Sequence, residues 1–420
     1  MLNKDGIREL AYVVKIDAIE PIVGSDHCEA AVVGGWKVMV RKGVFKAGNL
    51  AVYFEIDSKV DVSKPEFAFL AKKHGKIKTQ KYTFGGKNPG FYSQGLLMSA
   101  EDFGGICYQD GDGQYYLHFG KDSFLKENID LVEGTFLTSQ LGVTYYEPED
   151  NKRKAKVNPD AKINAVLARH PRIAKKWGKL IKKNKVLRKL FLLIFGRKRD
   201  VRHWPDWVKK TDEERVQNMP WILADKSEWY ATEKIDGTST TFTMKGKGRK
   251  RQFFICSRNV CFDTPEKMKN GAWYDTNVYQ EMAIKYDIEK VLATILDSNA
   301  TLEYVTIQGE TYGDGIQKRD YSLKNHDFAA FNLIFGYKDG NQRRCNPREM
   351  TDILVEYGVP CVPIVNKQFI LPDTVDELLA IATDKSALDG GMREGLVFRS
   401  VDGAQSFKAV SNEFLLKFHQ

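Results

Sequence analysis

Apolar residues in the first third of the chain form short runs of β-branched and aromatic side chains, separated by turns that contain glycine. Such runs lie at residues 12–16, 36–40 and 50–54. Short strands at this spacing predict a small antiparallel barrel or sandwich. An OB-like barrel is the preferred interpretation, and a generic sandwich is the alternative. The pattern continues to about Tyr146 but is less regular between residues 60 and 130.

A helical period follows. Pro159 and Pro171 interrupt the chain before this stretch, and Gly196 ends it. Lysines occupy much of the surface of this helix. The apolar residues fall near one face, in a stripe that Asn184 interrupts: Ile173, Trp177, Leu180, Leu187, Phe191 and Ile194. Three interpretations stay open. The stripe packs on a flanking domain, the lysines follow a phosphate backbone, or the helix lies on a membrane surface.

The remainder of the chain, from about Thr211, alternates between the two kinds of pattern. Residues 253–255, 304–307 and 395–398 are typical of strands, and 277–296 and 346–357 are typical of helices. This alternation predicts a mixed domain, so the fold class predicted for the whole chain is α+β.

The net charge of +9 is concentrated in one segment. Residues 151–210 contain 21 lysines and arginines against 3 carboxylates, so the rest of the chain is acidic. This asymmetry indicates a polyanionic partner. The six cysteines show no Cys-x-x-Cys spacing, which predicts reduced thiols. No signal sequence or bilayer-length apolar run occurs, so we expect a soluble, intracellular protein.

The candidate chemistry begins at Lys234-Ile235-Asp236-Gly237. A Lys-x-Asp-Gly pattern would occur by chance in about one chain of this length in ten. Alone it is equally compatible with a strand that runs into an Asp-Gly turn beside an exposed lysine. Its weight therefore depends on the motifs that follow.

Five further motifs follow in a fixed order: Ser257-Arg258-Asn259, Gln308-Gly309-Glu310, Ala330-Phe331-Asn332-Leu333, Glu394-Gly395-Leu396-Val397-Phe398 and Ser406-Phe407-Lys408. The series resembles the covalent nucleotidyltransferase superfamily of polynucleotide ligases and mRNA capping enzymes. The resemblance implies that Lys234 attacks the α-phosphorus of ATP and carries AMP, with Ile235 beside it in the nucleotide site.

This chemistry needs a neutral amine, although a lysine has an ordinary pKa of about 10.4. Nearby positive charge would favour deprotonation, and Mg²⁺ or Mn²⁺ held by carboxylates would supply it. Asp236, Glu310 and Glu394 are the candidate metal ligands.

The resemblance assigns further contacts to the nucleotide. Phe331 is expected to stack on the adenine and Val397 to cover its other face, with ordinary core packing as the alternative for both. Glu310 is expected at the ribose or a metal, Arg258 at the ribose side or the incoming nucleic acid, and Lys408 at the α-phosphate.

Two features separate this chain from the general pattern. Ligases of the superfamily often carry a second lysine two residues after the first in the last motif, but Val410 stands there and Lys417 is a weak substitute. Residues 211–218 resemble the entry segment of one RNA ligase family, in which Arg215 meets the outgoing phosphates. The alternative is a solvated acidic helix start.

The arrangement of domains selects among the relatives. Twelve residues follow Lys408, too few for the C-terminal OB domain of DNA ligases and capping enzymes. The chain instead resembles the RNA ligases with an N-terminal OB-like domain. We predict an OB-like nucleic-acid-binding domain at 1–148, a basic helical insertion at 149–204 and a nucleotidyltransferase domain at 205–420.

The resemblance implies an ATP-dependent RNA ligase that joins 3′-hydroxyl and 5′-phosphate ends, at nicks in duplexes. The expected partner is RNA or an RNA-containing duplex, with basic segment 151–210 on its phosphates and the protein a monomer. The alternatives are an inactive nucleic-acid-binding protein with the same fold and a DNA ligase-like nucleotidyltransferase.

Overall fold

The computed structural model describes residues 1–4, 7–84, 90–146, 163, 167, 171–195, 204–210, 212–258, 260–262 and 278–419. The predicted α+β class, with antiparallel strands first and a mixed domain after them, is confirmed. Thr211, Asn259 and most of the basic stretch around helices 171–195 lie outside the described residues.

The N-terminal region consists almost entirely of short strands. They are β1 (Ala11–Lys15), β2 (Ala18–Pro21), β3 (Cys28–Val33), β4 (Trp36–Arg41), β5 (Leu50–Phe54), β6 (Ser58–Lys59), β7 (Lys76–Ile77), β8 (Gln80–Tyr82), β9 (Phe91–Ser93), β10 (Leu96–Met98), β11 (Ile106–Gln109), β12 (Tyr115–Phe119), β13 (Ile129–Leu131) and β14 (Thr144–Tyr145). The 3-10 helices Pro65–Lys73 and Glu101–Phe103 and the short helix α1 (Thr138–Leu141) connect them.

Strands β1 and β5 pair antiparallel at the centre of this region, and each is buried on both faces. One face packs with β3 and β4 around Trp36, and the other packs with the 3-10 helix Pro65–Lys73 around Phe67. Burial on both sides explains why the sequence of β5 is apolar throughout instead of alternating.

The described part of the basic segment forms two helices, α2 (Pro171–Lys183) and α3 (Lys185–Phe195), so the prediction of a single helix was wrong. Asn184 causes the break because its Oδ1 accepts hydrogen bonds from the backbone nitrogens of Val186 and Leu187, 2.9 and 3.1 Å away. This is the geometry of a helix N-cap.

The two helices fold on each other, and the buried cluster that they share contains Ile181 and Phe191. Trp177, Leu180 and Ile194, which the sequence placed on a buried stripe, are exposed. The described members of this cluster all lie between residues 163 and 195, so within the described part of the chain the buried residues of the stripe pack on the insertion itself and not on a flanking domain.

The C-terminal region contains the longer elements. Its strands are β15 (Glu214–Arg215), β16 (Glu228–Lys234), β17 (Thr238–Lys245), β18 (Gln252–Ser257), β19 (Cys261–Phe262), β20 (Leu302–Gly313), β21 (His326–Tyr337), β22 (Gln342–Arg344), β23 (Ile364–Ile370), β24 (Gly395–Ser400) and β25 (Ser406–Val410). Its helices are α4 (Val278–Lys285), α5 (Ile288–Ser298), α6 (Pro347–Val355), α7 (Val375–Ala382) and α8 (Asn412–Phe418), with 3-10 helices Val216–Asn218, Pro220–Ala224 and Gly248–Lys250.

The helix predicted at 277–296 is two helices, α4 and α5. Asp287 between them has a φ of 47°, in the left-handed region, and so ends the helical path. The predicted strands 253–255, 304–307 and 395–398 lie within β18, β20 and β24.

These strands form two sheets. One has five strands in the order β15-β25-β24-β16-β23, and the other has six in the order β19-β18-β17-β20-β21-β22. Helix α7 packs on one face of the first sheet, and α4, α5 and α6 pack on one face of the second. The remaining faces are available to form a pocket between the sheets.

Polar and apolar contacts join the N-terminal barrel to this region. Asn218 Oδ1 accepts a hydrogen bond from Trp36 Nε1 at 2.6 Å, and its Nδ2 donates to Glu55 Oε1 at 2.8 Å. Val410 and Leu415 belong to the same buried cluster as Trp36. The two regions therefore share one core at their boundary.

The structure contains no disulfide among the described cysteines, as their spacing predicts. Among the described residues, no helix combines the length and the apolar character that crossing a bilayer needs.

Candidate active site

Lys234 is the last residue of β16 and lies opposite Gly395, the first residue of β24. This register places Glu394 beside the lysine, and Lys234 Nζ donates a hydrogen bond to Glu394 Oε1 at 2.6 Å. Two motifs that are 160 residues apart in sequence are thus adjacent at the same end of the five-stranded sheet.

The glycines of both motifs are required by close strand packing. A Cβ on Gly395 would lie 2.2 Å from the carbonyl oxygen of Ala409, and a Cβ on Gly237 would lie 2.4 Å from that of Thr311. Backbone atoms at these positions have little freedom to move aside. The glycines therefore let neighbouring strands bring the carboxylates close to Lys234.

Three carboxylates surround the lysine. Asp236 follows it in the chain, and its backbone nitrogen donates to the hydroxyl of Tyr321 at 2.6 Å. Glu310 lies on β20 and Glu394 just before β24. Asp236 Oδ2 and Glu394 Oε2 are buried and have no hydrogen-bond partner among the described residues.

The pKa values of Lys234 and Glu310 in this group are both raised. Burial lowers the pKa of Lys234, but the carboxylates of Glu394, Glu310 and Asp236 outweigh it and raise that pKa above its ordinary value. Burial raises the pKa of Glu310 to about 8, with Lys234 opposing and Glu394 adding to the effect. Without a further cation, the site holds Lys234 as an unreactive ammonium.

Side chains alternate between the two faces of a strand, so every second residue of β24 points into a pocket of about 330 Å³ between the two sheets. On β24, Leu396 and Phe398 join the core with α7, whereas Val397 and Arg399 line the pocket. Phe331 on β21 lines it from the other sheet.

All ten side chains that the sequence selected line this one pocket: Arg215, Lys234, Ile235, Asp236, Arg258, Glu310, Phe331, Glu394, Val397 and Lys408.

Cations converge on Asp212 at one end of the pocket. Its carboxylate is 2.8 Å from Lys408 Nζ, 3.0 Å from Arg258 Nη2 and 3.9 Å from Arg8 Nη1. Burial raises the pKa of Asp212, but Lys408 and the two arginines outweigh it and hold that pKa well below its ordinary value. This concentration of positive charge is suited to phosphate groups.

Arg215 lies next to Lys408, because β15 and β25 pair in parallel with these two residues in register. Its Nη2 donates to Asp57 Oδ2 at 3.1 Å, whereas its buried Nε and Nη1 have no partner among the described residues. Val410 is buried in the boundary core, and Lys417 Nζ lies over the ring of Phe418, outside the pocket lining. Arg215 therefore lies beside Lys408 in the pocket lining, whereas Lys417 does not.

The pocket also contains residues that the sequence analysis did not select. Arg8, Asp57 and Tyr145 come from the N-terminal region, and no motif marks them. Arg399, whose guanidinium lies 5.9 Å from the ring of Phe331, and His419 also line the pocket. Asp212 belongs to the entry segment 211–218, whose sequence predicts no role for it.

A larger groove of about 630 Å³ lies elsewhere, between the barrel and α7. Its cation, Lys37, is already paired with Glu20 and Asp376, each at 3.0 Å. Because no cluster of reactive groups among the described residues faces this groove, the smaller pocket is the candidate active site.

The chain is similar to known RNA ligases. Residues 227–418 match the RNA ligase family model, and residues 10–98 match an OB-fold domain model. The Naegleria gruberi RNA ligase solved with PPi is 25% identical, with a TM-score of 0.67 over 98% of this chain and 99% of that chain. A mutant of the same ligase solved with ATP and Mn is 25% identical, with a TM-score of 0.67 over 99% of both chains. No curated protein sequence matches the chain significantly.

We predict that Glu310→Gln stabilises the metal-free protein increasingly as the pH rises from 5 to 8. The folded state holds the Glu310 proton up to about pH 8, whereas the unfolded chain releases it near its ordinary pKa of 4.5. Wild type therefore loses stability across this window and the glutamine variant does not, which amounts to roughly 1–3 kcal/mol. Urea unfolding with EDTA at several pH values measures the difference.

Glu349→Gln is the matched control. Arg343 holds the pKa of Glu349 below its ordinary value, so that carboxylate stays ionised in both states over the same window. A stability difference between Glu310→Gln and wild type that does not change with pH would show that Glu310 is ionised in the folded protein.

Proposed function

We propose that this chain, an ATP-dependent RNA ligase of the nucleotidyltransferase superfamily, joins the 3′-hydroxyl and 5′-phosphate ends of RNA at nicks in duplexes. The reaction proceeds through lysyl-AMP on Lys234. One observation carries the proposal. Lys234 lies in a pocket that combines three carboxylates on one side with a cluster of cations on the other. A nucleotide that must be bound by its phosphates and attacked by an amine requires this combination.

In the first step, the neutral amine of Lys234 attacks the α-phosphorus of ATP. A bond forms between Nζ and phosphorus, the bond from phosphorus to the bridging oxygen breaks, pyrophosphate leaves, and the nitrogen gives up a proton to solvent. Because the surrounding carboxylates raise the pKa of Lys234, the amine becomes available only after their charge is compensated.

A divalent metal, Mg²⁺ or Mn²⁺, fits the carboxylate side of the pocket. Asp236 and Glu394 each offer a buried oxygen without a partner, and Glu310 faces the same pocket. When bound, the metal supplies positive charge that lowers the pKa of Lys234 and neutralises the reacting phosphate. Solved complexes of the Naegleria gruberi ligase with ATP and Mn support a divalent metal here.

The pocket walls suit an adenine nucleotide. We assign Phe331 to one face of the adenine and Val397 to the other, because they line the pocket from different sheets. Ile235 borders the same space. Lys408 contacts the α-phosphate, and Arg215 beside it contacts the outgoing phosphates, in place of the missing second lysine.

The later steps transfer AMP from Lys234 to the RNA 5′-phosphate, after which the 3′-hydroxyl attacks that phosphate and releases AMP. Arg258 is positioned to meet the incoming strand, since it lines the pocket with its side chain 44% exposed. We assign nucleotide chemistry to residues 205–420, and RNA binding to the barrel at 1–148 and to the insertion at 149–204.

We expect wild-type protein incubated with α-labelled ATP and Mg²⁺ or Mn²⁺ to retain label through denaturing electrophoresis, and Lys234→Ala to retain none. The label is the phosphoramidate, which denaturation does not remove. Lys245→Ala is a control, because this lysine also ends a strand and is paired with a carboxylate, Glu303, outside the pocket. Labelling of Lys234→Ala, or an unlabelled wild type, would contradict the mechanism. Sealing of nicked duplexes with single ribonucleotides on either side of the nick then tests the acceptor.

We predict that Lys408→Ala and Arg215→Ala each slow self-adenylylation by about 10²-fold or more, because each removes a cation aimed at the developing charge on phosphate. Lys417→Ala should leave the rate within about twofold of wild type, since its ammonium lies outside the pocket lining. Single-turnover labelling at saturating ATP measures the rates. If Lys417→Ala slows labelling as much as Arg215→Ala does, the assignment of Arg215 as the second cation is wrong.

We predict that removing residues 160–198 weakens RNA binding and flattens its salt dependence while self-adenylylation persists. The described part, 171–195, carries lysines and arginines and no carboxylate, so it should release counterions from RNA. Binding isotherms at several salt concentrations test this. Because Trp177 and Leu193 are exposed beside these cations, liposome association is measured in parallel. Unchanged RNA binding with lost liposome association would assign the segment to a membrane surface instead.

A further inference from the structure

We propose that His419 supplies a nitrogen ligand to the divalent metal of the active site and makes the site favour a transition-metal ion such as Mn²⁺ over Mg²⁺. The inference rests on the proposed function in one respect, that a metal binds near Asp236 and Glu394. It adds a residue that no sequence motif includes.

The geometry of three side chains carries the proposal. Asp236, Glu394 and His419 each offer one donor atom, and these atoms all lie within 4.8 Å of one another. His419 Nε2 is 3.5 Å from Asp236 Oδ1, which is long for a hydrogen bond. Ligands about 2.1–2.3 Å from a shared metal are separated by roughly 3.0–4.5 Å, so the three groups are spaced as metal ligands are.

Unpartnered oxygens provide a second, independent observation. Asp236 is 6% exposed and Glu394 is 4% exposed, yet Asp236 Oδ2 and Glu394 Oε2 have no hydrogen-bond partner among the described residues. Glu394 uses its other oxygen for Lys234. A buried carboxylate oxygen without a partner is costly, and a cation at this point would satisfy both oxygens.

The backbone holds His419 in place from both domains. Its nitrogen donates to Leu415 O at 3.0 Å at the end of α8, and its carbonyl oxygen accepts from Lys78 Nζ at 3.0 Å. Its ring packs edge-on against Phe414, with centroids 5.7 Å apart. The imidazole is therefore directed at the carboxylates by contacts that do not involve a metal.

Ligand chemistry gives the selectivity. Mg²⁺ takes oxygen ligands almost exclusively and keeps several waters, whereas first-row transition metals accept imidazole nitrogen. A site with two carboxylates and one imidazole should therefore lose more affinity for Mn²⁺ than for Mg²⁺ when the imidazole is removed. A histidine that only positions Asp236 would affect both ions alike.

The test uses the full chain with Mn²⁺ alone, without ATP or RNA. Pulsed electron paramagnetic resonance should show nitrogen modulation from a directly bound imidazole in wild type, and ¹⁵N-histidine labelling should change it. His419→Ala and His419→Gln should abolish the modulation. His326→Ala is the matched control, because His326 has the same 22% side-chain exposure and also faces a carboxylate, Glu281, away from the pocket.

Titrations of the same proteins measure affinity. We expect His419→Gln to weaken Mn²⁺ binding by about tenfold or more and Mg²⁺ binding by less than about threefold. Absence of nitrogen modulation in wild type, its persistence in His419→Ala, or equal weakening of both ions would overturn the proposal. Normal self-adenylylation without nitrogen modulation would reject the ligand role alone. Nitrogen modulation in a wild type that never labels would reject the proposed function and keep the metal ligand.

Discussion

Burial of three carboxylates around one lysine is the constraint on which the site depends. The carboxyl groups of Glu394, Glu310 and Asp236 raise the pKa of Lys234 against the effect of burial, and burial raises the pKa of Glu310 to about 8. An amine in this state is a poor nucleophile, so the protein alone does not complete the site. A divalent cation would compensate the negative charge of Asp236 and Glu394 and bind their unpartnered oxygens. Affinity for metal and reactivity of the amine are in this way two consequences of one arrangement.

Strand pairing produces that arrangement. The register of β16 against β24 sets Lys234 beside Glu394, and the parallel pairing of β15 with β25 sets Arg215 beside Lys408. Side chains of a strand alternate between faces, so a slip of one residue would turn Lys408 toward the core and Phe407 into the pocket. The glycines at 237 and 395 allow neighbouring strands to approach closely enough for these pairs to form.

Residues of the N-terminal barrel form part of the pocket lining. Arg8, Asp57 and Tyr145 line the pocket, and Asp57 holds one side of the Arg215 guanidinium. Asn218, three residues after Arg215, is fixed to Trp36 and Glu55 of the barrel. The segment that carries Arg215 is therefore positioned by both domains, so a change in their packing would displace this cation from the pocket lining.

The sequence by itself determined the mixed fold class and a strand at each of the six apolar runs named above, because such runs are local properties of the chain. Its spaced motifs, through their resemblance to known ligases, selected the ten side chains that meet in the pocket. It did not determine which face each residue takes in an apolar run such as β24, where Val397 faces the pocket and Phe398 the core. Asn184 interrupts the apolar stripe in the sequence, but only the structure shows that it caps a second helix that folds back on the first. Arg8 and His419 carry no local signal, since only long-range packing brings them to Asp212 and Asp236. Tertiary structure alone decided these contacts, because pairing between distant strands depends on the whole set of packed faces.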